Sequence, residues 1–208
     1  MVVSREDIIA RTKLCMEELT PEWDGVFEQT EGVCIDRYID AKIEEILRAL
    51  YLSVSVRLLP VQEALPPPEP VKRQDGSGRI ILPDEVIRPV SLYMEGWKRP
   101  VVRFIDETHP LYELQFNRYT RGGVAKPVAI WGTDGVGRQI IDYFSLPASY
   151  KQHRIVSFYY VAVPKENAAS YDLHPVLLDA LCYRCGAAVY DIMGNHTMAE
   201  ILSSHAAV

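Results

Sequence analysis

Apolar residues recur at helical spacing near both ends of the chain and at strand spacing through its middle. In residues 4–19, Ile8, Ile9, Thr12, Cys15, Met16 and Leu19 fall on one helical face, and Ser4 followed by Asp7 resembles a capping box. A helix is expected there, ended by Pro21. A stronger pattern covers residues 33–52, where Ile35, Ile39, Ile43, Ile46, Leu47 and Leu50 share a face and Asp36, Asp40, Lys42, Glu44, Glu45 and Arg48 lie elsewhere. At 1.5 Å per residue this second helix is ~30 Å long. Residues 173–193 return to that spacing with Leu177, Leu181, Ala188 and Ile192 on one side. Gly194-Asn195 supplies a stop, and residues 196–204 form a short closing helix.

Between these ends the pattern changes. Five of the twelve residues in 59–70 are proline, and residues 72–78 have no apolar period, which describes an extended, exposed connection that stays mobile or docks on a partner. Short apolar runs at 79–82, 90–94 and 101–105 are broken by Pro83, Pro89, Gly96 and Pro100 and read as short strands with corners. Clearer strands occupy 127–132, 139–146 and 154–163, the first two joined through a hairpin signal at Asp134-Gly135. The expected fold is α+β: terminal helices form a small bundle, and an antiparallel meander or barrel-like region is inserted between them. The corresponding divisions are 1–58 (N-terminal helices), 59–78 (proline-rich connection), 79–170 (β-region) and 171–208 (C-terminal helices packing on the N-terminal ones).

Composition narrows the function classes. The 208 residues are 48% hydrophobic and 24% charged, and a globular chain of 23.6 kDa buries roughly 70% of its unfolded surface, so disorder is excluded. No apolar run approaches the ~20 residues of a membrane span, and no long apolar stretch follows a basic start, so the chain is expected to stay inside a cell or inside something assembled there. A net charge of −6 lacks the broad basic footprint of general nucleic-acid binding. The charge is uneven, however. Residues 1–58 carry 12 acidic and 7 basic side chains, whereas residues 98–138 carry 4 and 7. Opposed patches on one chain favour head-to-tail contact between identical subunits.

Candidate chemistry is sparse. Cys15, Cys34, Cys182 and Cys185 are too few for a disulfide scaffold. Cys182-Tyr183-Arg184-Cys185 has redox or zinc spacing, with His174 and His196 at either side, but it falls in the middle of a helix. There the dipole does not activate a thiol, and the two histidines stand at opposite ends. These cysteines are expected to be packing residues, with a redox or binding domain built on them as the alternative. Gly132-Thr133-Asp134-Gly135-Val136-Gly137 leads into a strand and lacks the Lys-Ser/Thr of a phosphate loop. No histidine, nucleophile or carboxylate pair stands in a catalytic context, so no enzyme activity, metal or cofactor is expected. Arginine does mix with large aromatics around Trp97, Arg99, Arg118, Tyr119 and Arg121, the composition of interface anchors or of stacking platforms for single strands. For an acidic protein the interface is favoured.

The order of these segments resembles a known family. The resemblance is carried by Leu82-Pro83-Asp84-Glu85-Val86, by Ser91-Leu92-Tyr93-Met94-Glu95-Gly96-Trp97-Lys98-Arg99-Pro100-Val101, by Leu111-Tyr112-Glu113-Leu114-Gln115, by Asn117-Arg118-Tyr119-Thr120-Arg121-Gly122-Gly123 and by the helix opened by His174-Pro175. It spans about residues 4–195 and is to the head-to-tail connector proteins, adaptors or rings, of crAss-like and other short-tailed bacteriophages. It implies a structural virion protein of the neck, assembled in the host bacterial cytoplasm as a ring, taken as a dodecamer, between a portal protein and the next tail component. Double-stranded DNA would pass through such a ring without specific binding. An acidic lumen would repel phosphate, and Asp36, Asp40 and Glu44 on the second helix are the candidates to line it.

Overall fold

A computed structural model describes residues 1–18, 34–150, 152–165 and 168–206. Leu19, Pro21 and Val33, expected at the ends of the first two helices, lie outside the described residues. The chain divides into two units: a helical unit of Met1–Pro60 with Val163–Val208, and a sheet unit of Val61–Ala162. The fold is mixed α+β.

In the helical unit, β1 (Val2–Ser4) leads into α1 (Arg5–Glu18). The capping box forms as its residue types dictate: Ser4 Oγ accepts from the Asp7 N–H at 3.0 Å, and the Asp7 carboxylate accepts from the Ser4 hydroxyl at 2.7 Å. Ile8, Thr12, Cys15 and Met16 are buried, and Thr12 satisfies its hydroxyl on the Ile8 carbonyl at 2.8 Å. The second helix, α2 (Ile35–Ser53), buries Ile35, Ile39, Ile43, Leu47, Leu50 and Tyr51.

After the sheet unit the chain returns to the helical unit as β9 (Ser170–Asp172), antiparallel to β1, then α3 (Pro175–Ile192) and α4 (His196–His205). His174 caps α3, with Pro175 in the first turn, where a missing N–H costs nothing. Helix α3 is buried nearly all round because α1, α2 and α4 all pack on it. Gly186 makes this possible: a Cβ there would stand 3.0 Å from Met16 Cγ and 3.3 Å from Leu202 Cδ1. Gly194, at φ +78°, follows α3, and Asn195 caps α4 through its side chain.

The sheet unit contains β2 (Val61–Glu63), β3 (Pro70–Lys72), β4 (Gly78–Ile81), β5 (Val86–Met94), β6 (Ala129–Thr133), β7 (Gln139–Tyr143) and β8 (Ile155–Ala162). They form two antiparallel sheets, ordered β2-β8-β5 and β3-β4-β7-β6. This corrects the expected meander or barrel. The strands alternate between two open sheets whose side chains meet in one core of Ile80, Leu92, Met94, Trp97, Ile141, Tyr143 and Phe158 among others, and no closed barrel exists among the described residues.

The expected connection at 59–78 is extended and largely exposed, and it contains two short strands. Its two ends are strands hydrogen-bonded to β8 and β4, extended as proline requires but built into the sheets. Residues 101–105 make only two isolated bridges, Leu92 with Val101 and Ile105 with Ile130. The β6–β7 hairpin forms, yet the positive φ falls on Gly137 (+85°) rather than on Gly135, because Asp134 closes the loop by accepting the backbone N–H groups of Val136 and Arg138. Pro89 is tolerated inside β5 because the ladder shifts register beside it.

Candidate functional site

The sites anticipated from the sequence separate into spent and available groups. Cys182 and Cys185 are fully buried within α3, and burial pushes the Cys182 thiol up to about 12 and Cys185 higher still. That is the reverse of an activated dithiol, which needs an exposed, stabilised thiolate. His174 is occupied as a helix cap and His196 bonds Asp191 at 2.8 Å; no group of three metal-ligating residues assembles among the described residues. No helix among them is long and apolar enough to cross a membrane.

The acidic candidates Asp36, Asp40 and Glu44 are all paired, although Asp36 and Asp40 stay about half exposed, at 51% and 46%. Arg5, only 17% exposed at its side chain, donates Nε to Asp40 at 2.6 Å and Nη1 to Glu44 at 2.7 Å; its Nη1 also meets the Tyr171 hydroxyl at 2.9 Å. Lys13 pairs with Asp36 at 2.6 Å. These carboxylates hold α1 and β9 to α2, and Arg5 is held firmly in its charged form by the Asp40 and Glu44 bonds against the cost of its burial.

Of the five interface candidates, Trp97 and Arg121 face inward, a second correction. Trp97 is 3% exposed and stands edge-on to Tyr143 in the core. Arg121 donates to the Asp75 carboxylate at 2.8 Å and to the Asp75 carbonyl at 2.6 Å. Burial alone would raise Asp75, but bonds from Ser77 and Arg121 outweigh it and hold this carboxyl at about 2. Arg99, Arg118 and Tyr119 are exposed.

Arg118 and Tyr119 belong to a long loop over residues 106–128 that has one short 3-10 turn, Glu113–Phe116. Such length without regular structure requires internal satisfaction of its backbone, and Gln115 supplies it. Gln115 is 2% exposed; its Nε2 donates to the Leu111 carbonyl at 2.9 Å, and its Oε1 accepts the Gly122 N–H at 3.0 Å. Thr120 Oγ1 donates to the Leu114 carbonyl at 2.8 Å, and Asn117 Oδ1 accepts the Tyr119 N–H at 3.0 Å. Phe116 packs edge-on against Tyr112 and Phe144, with ring centroids at 5.1 and 5.5 Å. The Lys98 N–H donates to the Val124 carbonyl at 2.9 Å, so the 98–103 segment runs beside the loop.

Together these segments present Lys98, Arg99, Arg103, Arg118 and Lys126, all exposed and without an ion-pair partner among the described residues. The same segments also expose Val102, Phe116 and Tyr119, the last to 94%, together with Asp106, Glu107 and Glu113. Reading the sequence found Arg99, Arg118 and Tyr119 by composition. It missed Gln115 and Asp75, whose roles depend on partners 7 and 46 residues away. The Asn117 and Gly122-Gly123 turn residues were the signal for a built loop.

These segments expose both cations and aromatic rings among the described residues. Compared with models of known protein families and with curated proteins, the chain matches none.

Proposed function

We propose that this chain is a structural subunit that assembles with copies of itself into a ring, as a head-to-tail connector of a short-tailed bacteriophage does, through the cationic aromatic surface of its sheet unit. The observation that carries the reading is the division of charge between the units. Met1–Pro60 and Val163–Val208 together hold 9 basic and 17 acidic side chains, whereas Val61–Ala162 holds 13 and 11, with five cations of the latter exposed and unpaired. A chain with one acidic unit and one nearly balanced unit that leaves five cations outward is complementary to itself in a head-to-tail sense, which generates rings when the rotation closes. The resemblance of about residues 4–195 to connector proteins supplies the setting: a neck ring of twelve copies, with its helical units in a small bundle, between portal and tail, passing double-stranded DNA without reading it.

Sedimentation of the full chain over a range of concentrations tests this. The wild type is expected to form a discrete closed oligomer, and Arg103→Glu with Arg118→Glu to remain monomeric with an unchanged fold. Arg121 is left intact, because reversing it strands Asp75 and damages the loop itself. A wild type that stays monomeric throughout, or a double variant that assembles normally, overturns the reading.

A further inference from the structure

We propose that a proton on His153 releases the strap of residues 147–150 from the β3–β4 turn, making this part of the sheet unit an acid-opened latch on the turn that anchors the 106–128 loop. The latch lies within one copy and is independent of ring assembly.

The strap is held at three places. Between β7 and β8 the chain leaves the core at Leu146, which is 2% exposed, and residues 147–150 lie at the surface. Gly76, in the β3–β4 turn, backs onto the main chain of Leu146, Pro147 and Ala148, so closely that a Cβ would stand 2.9 Å from the Ala148 nitrogen. Lys72 Nζ donates to the Tyr150 carbonyl at 2.5 Å, and the Tyr150 ring covers Gly96, where a Cβ would lie 2.8 Å from it. Beyond Tyr150, His153 Nδ1 meets the Tyr143 hydroxyl at 2.6 Å, and this hydroxyl in turn lies against Gly78 at the start of β4. The turn is also the one in which Asp75 accepts from Ser77 and Arg121, so the strap and the 106–128 loop share one support.

The contact at His153 suits only a neutral ring. If Tyr143 donates to Nδ1, Nε2 carries the hydrogen; if Nδ1 donates to Tyr143, Nε2 keeps its lone pair. In both cases Nε2 is buried without a partner among the described residues. Protonation puts a hydrogen on both nitrogens, and Nε2 then holds a charged donor that nothing accepts. The surroundings offer it no counter-charge. Lys72 of β3 repels it, and Tyr143 of β7 is kept neutral by burial, which raises its pKa. The Trp97 indole, edge-on to Tyr143, already has its own Nε1–H buried without an acceptor. Asp142, next to Tyr143, is committed to Arg73 and Arg79, Asp75 to Ser77 and Arg121, and Glu95, whose N–H donates to the Arg154 carbonyl at 2.9 Å, is exposed. Burial, then the Lys72 charge, lowers the His153 pKa in the closed form below the ordinary 6.5. The open form binds the proton more tightly, so the open population is lowest above 6.5 and grows as pH falls toward the closed value.

Amide protection factors of the full chain between about pH 7.5 and 5.5 test the latch. The reporters are the Tyr150 N–H, bonded to the Pro147 carbonyl at 3.0 Å, and the Arg73 N–H, bonded to the Ser77 carbonyl at 2.8 Å. Both are expected to lose protection up to roughly tenfold at the lower pH, the ratio that an ordinary imidazole gives when only the open form takes the proton, while amides of α3 keep theirs. His153→Gln, neutral throughout, is expected to remove the loss, and His153→Arg, charged throughout, to show the low protection already at the upper pH. Glu95→Gln is expected to respond as the wild type does. The wild type supplies a readout that needs no variant: its His153 ring resonances are expected to titrate below 6.5. Constant protection in the wild type, a loss that persists in His153→Gln or vanishes in Glu95→Gln, a loss shared equally by α3, or a ring that titrates at or above 6.5 overturns the proposal.

Discussion

The two units of this chain use charge in opposite ways. The helical unit is the more acidic, yet Asp36, Asp40 and Glu44 are engaged internally by Lys13 and Arg5. The sheet unit is nearly balanced. It spends Arg73, Arg79, Arg121 and Arg138 on Asp142, Asp75 and Asp134 to fix its strands and turns, and still leaves five cations outward. Net charge along a sequence therefore says which unit attracts which, whereas the residues able to act on a partner are those the fold leaves unpaired.

The two units are expected to respond most differently to a change at Gly76. Its φ is +84°, and a Cβ there would lie 2.3 Å from the Leu146 carbonyl oxygen, backbone that has no room to yield. Gly76→Ala is expected to cost about 3 kcal/mol, and in amide hydrogen exchange to release β3, β4 and β7 while α2 and α3 keep their protection. Equal loss in both units would show that they do not respond separately.

The mirror variant is Arg5→Ala. It leaves Asp40 and Glu44 without their cation at a site where Arg5 is largely buried but Asp40 is 46% exposed, so solvent screening reduces the penalty of a fully buried pair to about 2 kcal/mol. Exchange is expected to rise in α1 and α2 and to stay unchanged in the sheets.

A smaller effect is expected at the cysteines. Replacing Cys182 and Cys185 together by Ala should lower stability by about 1–2 kcal/mol, as small core truncations do, without changing assembly. In thiol titration Cys34, which is exposed, should react at once and these two only as the helical unit unfolds. Rapid reaction of either would contradict the packed geometry.

The smallest expected effect is a slope. His153 Nδ1 bonds the Tyr143 hydroxyl at 2.6 Å, and its buried Nε2 has no partner among the described residues. Burial, then the Lys72 charge, lowers its pKa below the ordinary 6.5. The unfolded chain therefore binds the proton more readily than the folded one, so this contribution is complete above 6.5 and is lost as pH falls toward the lower folded value. Unfolding midpoints of the sheet unit between pH 7 and 5 should flatten in His153→Gln, and an unchanged slope would assign the acid response to other groups.

The long amphipathic segments were legible from the sequence because a helix makes its own backbone bonds and its burial pattern is periodic. Hence Ile35, Ile39, Ile43 and Leu47, and the Ser4–Asp7 cap, could be read directly. The α+β class followed from where helical and strand periods alternate. The strands at 61–63 and 70–72 could not be read, since proline masks their pattern and their partners lie in β8 and β4. Nor could Trp97 and Tyr119 be told apart: two exposable aromatics beside arginine look alike in one dimension. Only the packing of two sheets around Tyr143 put Trp97 inside, and only the Gln115 and Asp75 bonds held Tyr119 outside. The sequence by itself determined which segments coil, which extend and where charge accumulates, because those properties are local. Which charges and rings remain available to a partner was decided by the tertiary structure, because satisfaction of a polar group depends on contacts between residues far apart in the chain.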